Sequence, residues 1–299
     1  MLASVKDGRL LFKADTPQTV REFLQGFQVS KKLIHELYMA GELLVDGASV
    51  PPHYGITPDN VFSVPMLKDE SIDFIPQQGR LDIVFEDEHL LVVNKPAGIL
   101  VHPDTKGGTG TLCNLVAGHY ERTGEVRRVR YIHRLDIQTS GGIIFAKHFM
   151  AHSLLDFWLS KHLIKREYIA LASGKLQGSG TINAPLAADR HVSGRRRAAR
   201  SGDVAITHYH SLKADNTLSV IALALETGRT HQIRAHLAHL GHPLLGDSLY
   251  GGPKNRGISR HALHSWKITM AHPLTKKALF FEIPIPKDMA GMIGNLSSQ

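Results

Sequence analysis

Residues 133–142 read HRLDIQTSGG and run directly into IIFAK. Thr139, Ser140 and two glycines bend the backbone too sharply for a helix, and the branched apolar run after them reads as a buried strand. Asp136 therefore stands at a strand entrance, where a side chain can point into a cleft while the strand fixes its backbone. Thr139 and Ser140 can donate hydrogen bonds to the carboxylate or its loop, and the glycines permit close approach of another backbone. An Asx-turn without chemistry would use the same residues. Local pattern leaves both readings open.

Strand-like runs dominate outward from this point. DIVFEDEHLLVVNKPAGILVHP (82–103) holds two apolar runs around an acidic turn, which predicts a hairpin. REYIALASG, ITHYHSL, TLSVIALALE and ALFFEIPIP supply further strands. Two helices stand out, over roughly 148–161 and 230–240, the second ended by Gly241. Strands that follow one another directly predict an α+β domain built mainly on antiparallel sheet. Ahead of it, 16–64 form a compact block: a helix starting near Thr16-Pro17, a second helix N-capped by Ser30 and stopped at Gly41, then a hairpin turning at Asp46-Gly47. The expected division is an N-terminal segment (1–15), this small α/β block (16–64), a linker (65–80) and the large domain (81–299).

The chain carries 35 Lys and Arg against 27 Asp and Glu, a net +8, which suits a polyanionic partner. No stretch approaches the ~20 apolar residues a membrane helix needs, and the N-terminus lacks a secretory h-region. A single cysteine, Cys113, rules out an intrachain disulfide, so a cytoplasmic setting is expected. The 19 histidines are scattered without HExxH or zinc-site spacing, and GTGTL near residue 110 lacks the GK[ST] of a phosphate loop. Neither a metal nor a nucleotide cofactor is expected.

Three further segments are candidates for chemistry. NKPAG (94–98) contains Lys95 beside a turn. REYIALASG (166–174) places Tyr168 on a strand, either as core packing or as a flat surface for a base. TGRTHQIRAHLAHLGHPLLGD (227–247) puts Arg229 at a helix entrance and Arg234 one turn beyond His231, where cations can meet phosphates or an ionised Asp136. GRRRAAR (194–200) is either a phosphate grip or a solvated loop.

Taken in order, NKPAG, HRLDIQTSGG, KREYIAL, TGRTHQIRAHLAHLGHPLLGD and ALHSWKITMAHP resemble the RluA family of pseudouridine synthases from about residue 80 to 286. Ile137-Gln138 departs from the family's usual polar pair. The block 16–64 resembles an S4 RNA-binding module, although the usual leading Arg-Leu-Asp is Val20-Arg21-Glu22 here. The resemblance implies isomerisation of uridine within RNA: N1–C1′ breaks, the base turns, and C5 joins C1′, with no cofactor. It implies Asp136 as the essential carboxylate, Arg234 as its ion-pair partner and Tyr168 against the target base. Three roles for Asp136 stay open: attack at C1′, attack at C6, or removal of a sugar proton. Arg134, His133, Thr139, Arg229 and Lys95 are the expected contacts to substrate. Large-subunit ribosomal RNA is the expected target and transfer RNA an alternative, with a monomer as default. A non-catalytic RNA-binding assembly factor is the rival reading; a histidine-based nuclease finds no converging ligand set.

Overall fold

The computed structural model describes residues 2–67, 70–254 and 257–294. The N-terminal part runs β1 (Leu2–Lys6), β2 (Arg9–Lys13), β3 (Gln18–Thr19), α1 (Val20–Gly26), α2 (Lys31–Met39), β4 (Leu44–Val45), β5 (Ala48–Ser49), β6 (Gly55–Ile56) and β7 (Phe62–Pro65). Residues 1–15 were expected as a separate segment. Instead β1 and β2 form a hairpin, and β2 pairs with β7 in the sheet order β1-β2-β7-β4-β5. Helix α1 begins later than Thr16-Pro17 suggests, because Gln18 and Thr19 are held extended against Gly55–Ile56. Thr19 is the N-cap. Its hydroxyl accepts from the Glu22 amide at 3.2 Å while the Glu22 carboxylate accepts from the Thr19 amide at 2.7 Å, a reciprocal capping box. Ser30 caps α2 as expected, and Asp46 and Gly47 turn the β4–β5 hairpin with φ of 49° and 84°. Phe12, Phe23, Phe27 and Phe62 fill the core.

The stretch 65–80, expected as a linker, lies fastened to the larger body along its described part. Glu70 pairs with Arg130, the Asp73 carboxylate accepts from the Val129 amide at 3.0 Å, and the Gln77 amide bonds Asn114 O at 3.0 Å. The two parts also meet where Lys276 Nζ sits 5.2 Å from the Phe27 ring and 4.9 Å from the Trp158 ring.

The larger body contains β8 (Ile83–Glu86), β9 (Leu90–Lys95), α3 (Leu112–Arg122), β10 (Arg130–Tyr131), β11 (Ser140–Ala146), α4 (Phe149–Ser160), β12 (Lys165–Ser173) and β13 (Ser179–Asn183). It continues with β14 (Leu186–Ala188), β15 (Arg196–Ala198), β16 (Ile206–Ala214), β17 (Leu218–Leu225), α5 (Gln232–His239), a 3-10 turn (Ser248–Tyr250), β18 (Leu263–Ala271), β19 (Ala278–Glu282) and α6 (Lys287–Ile293). The central sheet has ten strands, ordered β13-β16-β17-β12-β18-β11-β9-β8, with β10 added to β11 and β19 to β18. Both faces are covered, which explains strands that read as continuous apolar runs. Leu90, Val92 and Ile144 join the core beneath α4, while Leu91, Val93, Ile143 and Phe145 join the core that contains α3 and α5 residues. No described helix is long and apolar enough to cross a membrane.

One strand pair breaks the antiparallel pattern. β11 runs parallel to β18, with Ser140 opposite His264 and Gly141 opposite Ser265. Gly141 sits at φ +112°, and a Cβ there would lie 2.2 Å from Ser265 O. The first glycine of SGG is therefore obligatory, and it is where the Asp136 loop enters the sheet.

Gly141→Ala should lower stability by about 3 kcal/mol or more, read from the urea midpoint. Gly8→Ala, at φ +72° in open space, should cost about 1 kcal/mol. Equal losses at the two sites would refute the backbone clash.

Candidate active site

Asp136 lies in the loop between β10 and β11, and every anchor on that loop comes from elsewhere in the chain or from the turn itself. The Thr139 amide closes the turn on Asp136 O at 3.0 Å. The Ile137 carbonyl accepts from the Gly98 amide at 2.8 Å and from Lys95 Nζ at 3.0 Å, and Gln138 O accepts from Arg260 Nη1 at 3.1 Å. The carboxylate itself is a quarter exposed and opens into a cleft of about 910 Å³.

Across the cleft, α5 supplies Arg234. Its entrance is built by Gln232, whose side-chain oxygen accepts from Thr227 Oγ1 and the Arg229 amide while its nitrogen donates to Ile206 O and Thr207 Oγ1. His231, at φ 57°, turns the chain into the helix. Arg234 Nη1 donates to Asp136 Oδ2 at 3.2 Å, so the two residues meet as the family resemblance implies. The guanidinium is held from behind by Asp247, with Nε to Oδ2 at 2.7 Å and Nη2 to Oδ1 at 2.9 Å. Burial disfavours the Arg234 charge, but Asp247, then Asp136, outweigh it and raise its pKa. The Tyr250 ring lies 5.1 Å from the guanidinium carbon, and its hydroxyl accepts from the Arg196 amide at 2.8 Å.

Tyr168 also lines the cleft, next to a register shift between Glu167 and Tyr168 in the β12–β18 pairing. It is 4% exposed, and burial pushes its phenol upward against the opposing Arg166 charge. Asp136, Arg234 and Tyr168 thus share one cavity.

The expected substrate contacts separate into groups. Arg134 is exposed at the rim, and Arg229 lies along the wall with Nε donating to Val204 O at 3.1 Å. Thr139 lies deeper, its hydroxyl 2.8 Å from His261 Nε2. His133 lines the cleft but is buried, and neither ring nitrogen has a hydrogen-bond partner among the described residues. Burial and then Arg166 keep its imidazole neutral.

Lys95 requires a correction. It is fully buried and off the cleft lining, and its ammonium is spent on three carbonyls: Pro96 at 2.9 Å, Ile99 at 2.8 Å and Ile137 at 3.0 Å. Burial lowers it to about 7, opposed by the charge of Asp136. It anchors the Asp136 loop from behind the cleft wall.

Sequence reasoning missed Asp247, Tyr250, Arg166 and His102. Arg166 was legible in principle, since it is two residues before Tyr168 on one strand face. Asp247 was quoted within its motif, but nothing local showed that it grips Arg234.

A carboxylate beside a guanidinium and a buried aromatic ring, within a cationic rim, suits a flat group attached to a polyanion. Comparison with known proteins agrees. A sequence profile of the RNA pseudouridylate synthase family matches residues 89–239, and one of the RluD ribosomal pseudouridine synthase N-terminal domain matches 12–60. The chain is 46% identical over 297 residues to the uncharacterized RNA pseudouridine synthase YhcT of Bacillus subtilis (strain 168), covering 96% of this chain and 93% of that one. It is 35% identical to ribosomal large subunit pseudouridine synthase D of Xylella fastidiosa (strain Temecula1 / ATCC 700964), covering 90% and 85% respectively. Human RNA pseudouridylate synthase domain containing 1 superposes with a TM-score of 0.56 at 25% identity, over 70% of this chain and 86% of its own.

Asp247→Ala leaves a buried guanidinium without its main counter-charge, and should cost about 3–5 kcal/mol by urea unfolding. A loss below about 1 kcal/mol would show Arg234 to be held otherwise. Acid should destabilise the fold through its neutral histidines. Burial lowers His264 and His89 to about 4 and His261 to about 2, below the ~6.5 of an unfolded chain. Their stabilising share is whole above ~6.5 and is lost as pH falls towards the folded values, by about 1.4 kcal/mol per histidine per pH unit. The urea midpoint should fall from pH 7 to pH 5; a flat profile contradicts their burial as neutral rings.

Proposed function

The chain belongs to the RNA pseudouridylate synthase family, and from that premise we propose that it isomerises uridines of large-subunit ribosomal RNA with Asp136 as the essential carboxylate. The enzyme class follows from the family. The observation that carries it is the Arg234–Asp136 contact at 3.2 Å inside a cleft that Tyr168 also lines.

The reaction detaches N1 from C1′, turns the uracil and joins C5 to C1′; the C5 proton is released and N1 takes up a proton, so the product is an isomer of the substrate. Each proposed role of Asp136 needs an ionised, aimed oxygen. Arg234 aims it: Asp247 engages Nε and Nη2 of the guanidinium, and Nη1 faces forward to orient Asp136. Tyr168 packs against the target base. A stacked uridine cannot enter such a cleft, so it is swung out of its strand at a cost of roughly a few kcal/mol. Arg134, two residues from Asp136 and exposed at the rim, fills the vacated space or steadies the flanking phosphates.

The ribosomal target is supported by relatives at 35–40% identity that are named ribosomal large subunit pseudouridine synthase D. The N-terminal part acts as an S4-like second grip on folded RNA. Arg197 on the β14–β15 hairpin and Arg200 in the turn after it, both exposed, add phosphate contacts; Arg195 is committed to Asp189. Action as a cytoplasmic monomer completes the reading.

Asp136→Asn should fold, bind RNA and lose at least about 10³-fold in tritium release from C5-tritiated uridine RNA. Normal release by that variant removes Asp136 from the chemistry. Mapping pseudouridine in a strain lacking this protein should show a loss in large-subunit ribosomal RNA; a loss confined to transfer RNA would move the target.

A further inference from the structure

His102 stands at the cleft rim on the loop after β9, and Tyr131 closes β10 just before the Asp136 loop. Both line the same cleft. Their rings lie face to face, with centroids 5.1 Å apart and planes 14° from parallel. His102 Nδ1 is 2.9 Å from Pro103 O. A carbonyl oxygen only accepts, so Nδ1 carries the ring proton and Nε2 presents a lone pair. Opposite that lone pair, at 3.1 Å, is Nη1 of Arg134, a group that only donates. The two contacts require the same neutral tautomer, and the stack on Tyr131 fixes the plane in which Nε2 points.

We propose that His102 is a positioning residue for nucleotide extrusion: braced on Tyr131, it holds the Arg134 guanidinium at the cleft mouth, where it meets the gap left by the departing uridine. This rests on the extrusion role given above to Arg134. An exposed arginine samples many rotamers, and ordering it only when the base leaves would oppose extrusion. A tether to a rigid ring removes most of that ordering beforehand. A single hydrogen bond at the surface also breaks readily, so Arg134 can exchange His102 for RNA.

The test uses two RNA oligonucleotides carrying the mapped uridine, one paired in a hairpin stem and one single-stranded, each with 2-aminopurine beside the target. His102→Phe keeps the ring stack and removes the acceptor. His102→Gln offers an amide oxygen near the former Nε2. His102→Phe should lower kcat/KM on the stem about tenfold more than on the single strand, and should reduce the 2-aminopurine rise that reports unstacking. His102→Gln should recover most of that selective loss, which a merely structural role would not produce. The inference is overturned if His102→Phe matches the parent on the stem, or loses equally on both RNAs. Arg134→Ala separates the two readings. Should it fail to discriminate stem from strand, the extrusion role itself falls; should it discriminate while His102→Phe does not, only the role of His102 falls.

Discussion

Arg234 stands between two carboxylates from distant parts of the chain, and the site depends on how unequally it serves them. Asp247 takes a two-point grip on it, while Asp136 receives a single bond at 3.2 Å. The aspartate behind anchors the arginine; the aspartate in front is oriented by it. Because two of the three guanidinium nitrogens, Nε and Nη2, are engaged at the rear, Asp136 is aimed by Nη1 without being fully paired. A symmetric bidentate partner would have held Asp136 more tightly and left less of its charge for a ligand.

That arrangement works only if the two halves of the site are fixed relative to each other. The Asp136 loop enters the sheet through Gly141, where β11 lies against the backbone of β18. The carbonyls of Ile137 and Gln138 are pinned by Gly98, Lys95 and Arg260. On the other side, Gln232 ties the start of α5 to β16. Each clamp joins a backbone group to a segment distant in sequence, so the site is as rigid as the sheet.

That Asp136, Tyr168 and Arg234 would face one cleft was legible because each sits in a long motif and the motifs keep their order. Helices α4 and α5 were legible because their apolar residues repeat at helical spacing. Helix α3 was not, because Gly118 and polar residues interrupt its face: a Cβ at Gly118 would lie 2.1 Å from Gln77 O. Its periodicity was sacrificed to a crossing segment that no local pattern reveals. Lys95 was misread for a related reason. A lysine beside a turn looks like a surface cation, and only the fold shows three carbonyls converging on it. Asp247 and His102 act on other side chains, and a linear string does not record such partnerships.

The strap formed by the described part of residues 65–80, together with Lys276 between Phe27 and Trp158, has a consequence for scale. Two RNA-gripping bodies on a slack tether would accept any spacing between their contacts and trade reach for weak mutual reinforcement. Fastened together, they work as a caliper with a set opening. On the proposed reading, in which the N-terminal part also grips RNA, an RNA gains from both jaws only if its tertiary shape presents a grip point and a uridine at that separation, so selectivity can come from distance as well as from nucleotide letters.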